Sequence, residues 1–292
     1  MTDRLAEQGA TEHAGVLPPS TTTPSPGTVR RRLMLRRLRI LHPAYWGPFV
    51  VMLLVLGLLW RMGAHRWPYL LPPLSEVGSQ LTDDPGFFVH NAWVTLREAL
   101  LGLGIAFVCA FVIAVVVSEL PLARRAIMPV AVVLNVTPLV AIAPALVVAF
   151  GFGVVPKLVV TALICFFPIL INTAVGLRSV PGPVLQVYRT VHASRWEVLR
   201  HLRAPTALPY VFASLQIVFP LSVIGAVVAE LSAAGSADGL GTTIQVASGR
   251  NNLSLVWAAI FVLAIMGALL LLLVSVVQRR VLHWHESSQR LA

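Results

Sequence analysis

The chain has 292 residues, of which 57% are hydrophobic and only 12% charged, against roughly 45–50% and about 25% in ordinary soluble domains. That excludes a soluble globule, which would lack the polar side chains to cover its surface. A formal charge of +10 would point to nucleic acid in a soluble protein. Here membrane topology accounts for the basic residues first, and no nucleic-acid partner is expected.

Residues 1–40 mix Pro, Ser, Thr and Gly with arginine and carry few large apolar side chains, so they read as a disordered basic tail that cannot offset its ordering entropy. No apolar core with a small-residue cleavage site stands near the start. The first membrane helix is therefore expected to stay in the protein.

A spanning helix needs about 20 mostly apolar residues, since roughly 30 Å of hydrocarbon is crossed at about 1.5 Å per residue. Six segments qualify: about Pro43 to Met62 (43–62), with Trp46 and Trp60 at its ends, Ala99 to Ser118, Ala126 to Phe150, Leu158 to Val175, about Leu208 to Ala229, and Leu255 to Val277. The expectation is an all-α, polytopic membrane protein. Its membrane domain occupies 43–281, with a first helix at 43–62, a core at 90–281, and a C-terminal tail at 282–292. A closed barrel would show short alternating segments instead.

The third and fourth segments meet at Gly151-Phe152-Gly153, with Pro156 placed for the first turn of the next helix, so a tight helical hairpin is expected. Pro138 and Pro144 fall inside the third segment and Pro168 inside the fourth, where each removes a backbone donor and favours a kink.

Seventeen of the 22 basic residues fall on one side of these segments: the N-terminal tail, Arg124, Arg125, the long polar interruption Gly176 to Thr206 and the C-terminus. Arg61, Arg66, Arg97, Lys157 and Arg250 fall on the other. The positive-inside rule places both termini and the 176–206 loop in the cytoplasm, and the connections Gly63 to Glu98 and Leu231 to Ser254 outside.

Lys157 is the only lysine and stands in Val-Pro-Lys-Leu, so there is no phosphate-binding Gly-Lys-Ser/Thr loop and ATP hydrolysis in the usual way is excluded. No catalytic residue and no cofactor are expected in this chain. Cys109 and Cys165 lie within apolar runs and read as small hydrophobes. The eight histidines show no metal-ligand spacing within a membrane helix, so no metal site is expected.

The 176–206 loop carries the most information. Pro183 opens a short helix bearing Leu185, Val187, Tyr188 and Val191, and Ser194-Arg195-Trp196-Glu197 fits a capping box that starts a second. The second helix puts Trp196, Leu199 and Leu202 on one face and Arg200 and Arg203 on another, and it is expected to end before Pro205. The two helices meet at an angle near His192 and Ala193. Physically, such a pair either docks into another protein or lies flat on anionic membrane lipid.

His-Ala-Ser-Arg-Trp-Glu-Val-Leu-Arg-His-Leu-Arg-Ala-Pro-Thr-Ala-Leu-Pro resembles the cytoplasmic coupling loop of binding-protein-dependent ABC importer permeases. Leu71-Pro72-Pro73-Leu74-Ser75-Glu76-Val77, Ala229-Glu230 and Gly239-Leu240-Gly241 look like the taurine, sulfonate, nitrate and thiamine-precursor branch. The resemblance runs from about Pro68 to Trp284. It implies a six-span permease with the type I importer fold. It also implies an ATPase subunit that holds ATP and Mg, an extracytoplasmic solute-binding protein and a second permease copy as a homodimer. ATPase coupling would fall on Tyr188, His192, Ala193, Ser194, Arg195, Trp196, Glu197, Leu199, Arg200 and Pro205, within 182–205. The sequence departs from the family pattern at three places. His192 stands where the family has glycine, Gln186-Val187-Tyr188 where it has Glu-Ala-Ala, and Ala204 where it has the closing leucine.

Glu230 is singled out as a gate or binding-protein contact at the outer end of the fifth span, with a solvated helix end as the alternative. Asn135, Thr137, Asn172 and Thr173 are pathway candidates that interhelical hydrogen bonding explains equally well. A secondary transporter would need intramembrane acids, and the middles of these spans hold none. A membrane-embedded enzyme would need clustered acids near an interface, where Glu119 stands alone. Neither alternative explains the loop.

Overall fold

The computed structural model describes residues 43–232 and 238–283, all helix and connection, with no strand among them. The N-terminal tail and most of the C-terminal tail lie outside the described residues. The chain divides into two compact units, Met1–Met62 and Gly63–Ala292. Of the first, the structure describes residues 43–62, the greater part of the apolar helix α1, Pro43–Arg66, which is long enough to cross a membrane.

The second unit starts with a short helix, α2, Leu74–Asp83. Asp84 then accepts a hydrogen bond from the Phe87 amide at 2.9 Å with Pro85 in the first turn, and α3 runs Pro85–Glu119. Its 35 residues extend about 52 Å, well beyond a hydrocarbon core of about 30 Å. The connection expected from Gly63 to Glu98 is thus largely helical, and the helix that carries the second span begins fourteen residues earlier than hydropathy indicates. The connection from Leu231 to Ser254 likewise contains a helix, α10, Leu240–Gly249.

The third expected span departs most from expectation. In place of one kinked helix over Ala126 to Phe150 there are α4, Pro121–Val136, a 3₁₀ turn, Leu139–Ile142, and α5, Ala143–Phe150. The break has a local cause. Thr137 precedes Pro138 and is driven to an extended conformation with ψ 132°, because the proline ring disfavours the helical region for its predecessor. Pro144 kinks nothing, since it lies in the opening turn of α5. The pieces still traverse the bundle: Ala131 packs in the main core, and Ala143 packs against Val160 and Ala229 near the far end. Among the described residues five unbroken helices are long and apolar enough to span a membrane, and this segmented element accompanies them.

The hairpin at 151–153 forms as expected, with Gly151 at φ 77° and Gly153 at φ 139°, values that glycine adopts without a Cβ penalty. It leads into α6, Val154–Gly176, the hub of the bundle, which packs most extensively against α3 and α9. The close approach is made possible by small side chains. Ala99, Ala106, Ala110 and Ala114 form a fully buried stripe on α3, at the helical spacing that faces one neighbour. A Cβ added to Gly102 would lie 2.6 Å from the Thr161 Cβ, and one added to Gly225 would lie 3.1 Å from the Thr161 Cα.

After α6 come α7, Gly182–Thr190, and α8, Arg195–Val198, which passes through a π turn, Leu199–Arg203, into α9, Ala204–Ser232. Helix α11, Leu253–Val281, closes the bundle, its Ala258, Ala259, Met266 and Leu270 buried against α3, α9 and α10.

The small-residue seam makes a paired prediction. Gly102→Val, which drives a side chain into Thr161, is expected to destabilise the folded protein by about 1–3 kcal/mol. Gly104→Val, where nothing lies within 4 Å of the added Cβ, should leave stability unchanged. Thermal unfolding of the two variants in detergent checks this.

Candidate functional site

The notable side chains gather at the two ends of α9. At its N-terminal, arginine-rich end, α7 turns into α8 through Val191, His192, Ala193 and Ser194. The Ala193 amide donates to the Tyr188 carbonyl at 3.0 Å and the His192 amide to the Arg189 carbonyl at 3.1 Å. This pair of bonds defines a Schellman helix ending, with the left-handed residue at His192. His192 has φ 53°, so it adopts the conformation that the resemblance assigns to glycine, at the strain a Cβ brings there.

The expected capping box is present. Ser194 Oγ accepts from the Glu197 amide at 3.3 Å, and Glu197 Oε2 accepts from the Ser194 amide at 2.7 Å. The expected stop before Pro205 is not observed: the helix runs unbroken from Arg195 to Ser232. The π turn over Leu199–Arg203, closed by the Ala204 amide on the Leu199 carbonyl, widens the backbone just before the proline that cannot donate.

The face expected to hold Trp196 and Leu199 together is divided. Leu199 packs partly buried against the main core, whereas Trp196 is 66% exposed, and Val187 and Val191 are similarly bare. Arg195 and Arg200 are exposed, and Tyr188 is half-buried. Glu119 does not stand alone: Arg203 Nη1 donates to its Oε1 and ties this elbow to the end of α3.

At the other end of α9, Glu230 is not a solvated helix end but fully buried. Its Oε1 accepts from Thr95 Oγ1 at 2.8 Å, and its Oε2 accepts from the Gly241 amide. Thr95 Oγ1 also accepts from the Leu240 amide at 2.9 Å, and Asn91 Oδ1 from the Gly239 amide at 2.8 Å. Three consecutive amides at the start of α10, which no earlier turn of that helix could satisfy, are thus held by side chains of α3 and α9. The carboxylate also faces the positive end of the α10 dipole. Only glycine fits against it: a Cβ at Gly239, which has φ 119°, would lie 2.5 Å from the Glu230 Cδ, and one at Gly241 would lie 2.7 Å from its Oε2.

One turn from this cluster Lys157 Nζ donates to Glu98 Oε1 at 2.8 Å, the two residues only 2% and 4% exposed. Asn91, Thr95, Glu98 and Lys157 were not singled out from the sequence. Two signals could have found them: the single lysine at the mouth of an apolar span, and Asn91, Thr95 and Glu98 at intervals of four and three, which share a helix face. The pathway candidates do not join either cluster. Asn135 is exposed on α4, Thr137 Oγ1 donates to the Val133 carbonyl at 3.0 Å, and Asn172 Nδ2 donates to the Pro168 carbonyl at 2.8 Å. The latter two are satisfied within their own segments. Thr173 Oγ1 is buried, with no hydrogen-bond partner among the described residues.

Comparison with known proteins gives the family and the fold. The family described as binding-protein-dependent transport system inner membrane component matches residues 99–283. The chain is 32% identical over 250 residues to the riboflavin transport system permease protein RibX of Chloroflexus aurantiacus, covering 84% of this chain and 92% of that one. It is 30% identical over 257 residues to the formylaminopyrimidine transport permease protein ThiX of Halalkalibacterium halodurans, covering 87% and 99%. The taurine transport system permease protein TauC of Escherichia coli is 29% identical over 229 residues, covering 76% and 82%. Among solved structures, a chain of the inward-facing MetNI methionine ABC transporter shares the fold, with a TM-score of 0.60 and 18% identity over 68% of this chain and 98% of that chain.

The buried ion pair can be tested by substitution. Lys157→Met strands the Glu98 charge and should destabilise the protein by about 3–5 kcal/mol, whereas Glu98→Met/Lys157→Met should recover most of that loss. Chemical denaturation of both variants in detergent reads the difference.

Proposed function

The chain belongs to the binding-protein-dependent transport system inner membrane component family, and from that premise we propose how this importer permease is driven. The elbow of α7 and α8 is the contact for a separate ATPase subunit, which binds ATP and Mg and performs the hydrolysis. Two copies of the chain form the path, and an extracytoplasmic solute-binding protein delivers the solute to it. Both termini face the cytoplasm, as the arginine distribution indicates.

One observation carries this reading. A capped, exposed apolar elbow at Val187, Val191 and Trp196 continues without a break into α9. Exposed aromatic and aliphatic anchors beside arginine are what an interface hot spot needs. A rigid helix behind them turns displacement of the elbow into movement of a span. ATP-driven closure of the ATPases would then rock the spans between inward- and outward-facing states, with no covalent step in this subunit.

Gln186, Val187 and Tyr188 replace the acidic opening of the family loop, and His192 replaces its glycine, so the grip on the ATPase is specialised to this chain's own partner. Glu98 and Glu230 are buried acids of the kind an ion-coupled transporter would require. Both are already engaged, one by Lys157 and the other by Thr95 and the start of α10, which favours ATP-driven transport. The relatives named for riboflavin, formylaminopyrimidine and taurine support a small heterocyclic or sulfonate-like solute, selected largely by the binding protein.

Trp196→Asp tests the docking reading without disturbing the core, which Leu199→Asp would do. The expected outcome is a normally folded permease that no longer co-purifies with its ATPase subunit. A complex recovered in wild-type yield would contradict the assignment.

A further inference from the structure

A cavity lies beside the elbow. It measures about 580 Å³ and lies among the ends of α3 and α6, the start of α4, and α7. Four arginines line it, Arg124, Arg125, Arg178 and Arg203, and no carboxylate does. Arg203 is paired with Glu119, but Arg124, Arg125 and Arg178 form no ion pair among the described residues. The positive-inside rule accounts for the number of arginines on this side. It does not account for their convergence from separate elements on one concavity.

Two further features of the cavity favour an anion. The 16-residue helix α4 starts at the lining residue Pro121 with no side-chain cap, so its dipole adds positive potential. The cavity also runs down to Met128 and Pro129, two turns into α4 and about 10 Å from its start. A basic rim over an apolar floor matches a charged headgroup with its first methylenes below.

We propose that this cavity binds a phosphate-bearing anion, supplied either by an anionic phospholipid of the inner leaflet or by free phosphate. The arginine fork matches phosphate oxygens in pairs, and basic pockets between membrane helices at the cytoplasmic surface hold such headgroups. Because Leu185 of α7 and Arg203 of the π turn also line the cavity, its occupant braces the elbow and makes coupling sensitive to whether the cavity is filled.

The test uses the full-length permease, delipidated in detergent, with binding read by native mass spectrometry. Phosphatidylglycerol should be retained in preference to phosphatidylcholine. Arg124→Gln/Arg125→Gln/Arg178→Gln should weaken phosphatidylglycerol binding about a hundredfold, at about fivefold per arginine. If the triple variant fails to fold, Arg124→Gln and Arg178→Gln alone should each weaken it about fivefold. Inorganic phosphate that displaces the lipid identifies free phosphate as a competent source, and lack of displacement identifies the lipid. Equal retention of the two lipids, or wild-type phosphatidylglycerol binding by the folded variants, would overturn the proposal. The site's place at the inner surface rests on the proposed orientation. That is read separately, from labelling of Arg178→Cys by an impermeant thiol reagent in a background lacking Cys109 and Cys165.

Discussion

A helix start buried inside the protein has no water to complete it, so each of its amides needs a partner from the protein itself. The amides of Gly239, Leu240 and Gly241 find theirs in Asn91, Thr95 and Glu230, and much of the upper bundle follows from that. The carboxylate has to be buried, so glycine must flank it at two places. Helix α3 has to reach far beyond the hydrocarbon to bring Asn91 and Thr95 alongside, and its 35 residues do so. Glu98, carried along on the same face, meets Lys157 at the mouth of α6.

The same helix that ends at this latch begins at the elbow. A break at Pro205 would have separated the two, leaving the elbow free to swing without moving a span. The π turn removes that break, and the Arg203 to Glu119 pair adds a second tie, to α3. The elbow and the latch are therefore ends of one rod of 38 residues, roughly 57 Å long. Coupling between distant sites requires an element that both of them bias, and α9 has the form of such an element.

What the sequence disclosed depended on how local each determinant was. The capping box at Ser194 involves residues three apart and was legible; the left-handed turn at His192 was legible only through the glycine that the family resemblance places there. The spans were legible from apolar runs alone. The break at Thr137 and Pro138 was expected as a kink, because a proline inside an apolar run can either bend a helix or end it at the preceding residue. Pro205 misled in the opposite sense, since a widened turn upstream rescued the helix. The partnership of Glu230 with Thr95, 135 residues away, leaves no local trace. Its components were visible only as isolated motifs, Ala229-Glu230 and Gly239-Leu240-Gly241, with nothing to show that they touch.

The central claim, that the elbow drives the latch through α9, is tested most directly by hydrogen exchange at the amides of residues 239–243 in the assembled transporter, with and without trapped nucleotide. The account predicts that closing the ATPases loosens the Glu230 contacts and speeds exchange at these amides while the middle of α9 stays protected. Unchanged exchange at 239–243, with nucleotide demonstrably bound, would contradict it.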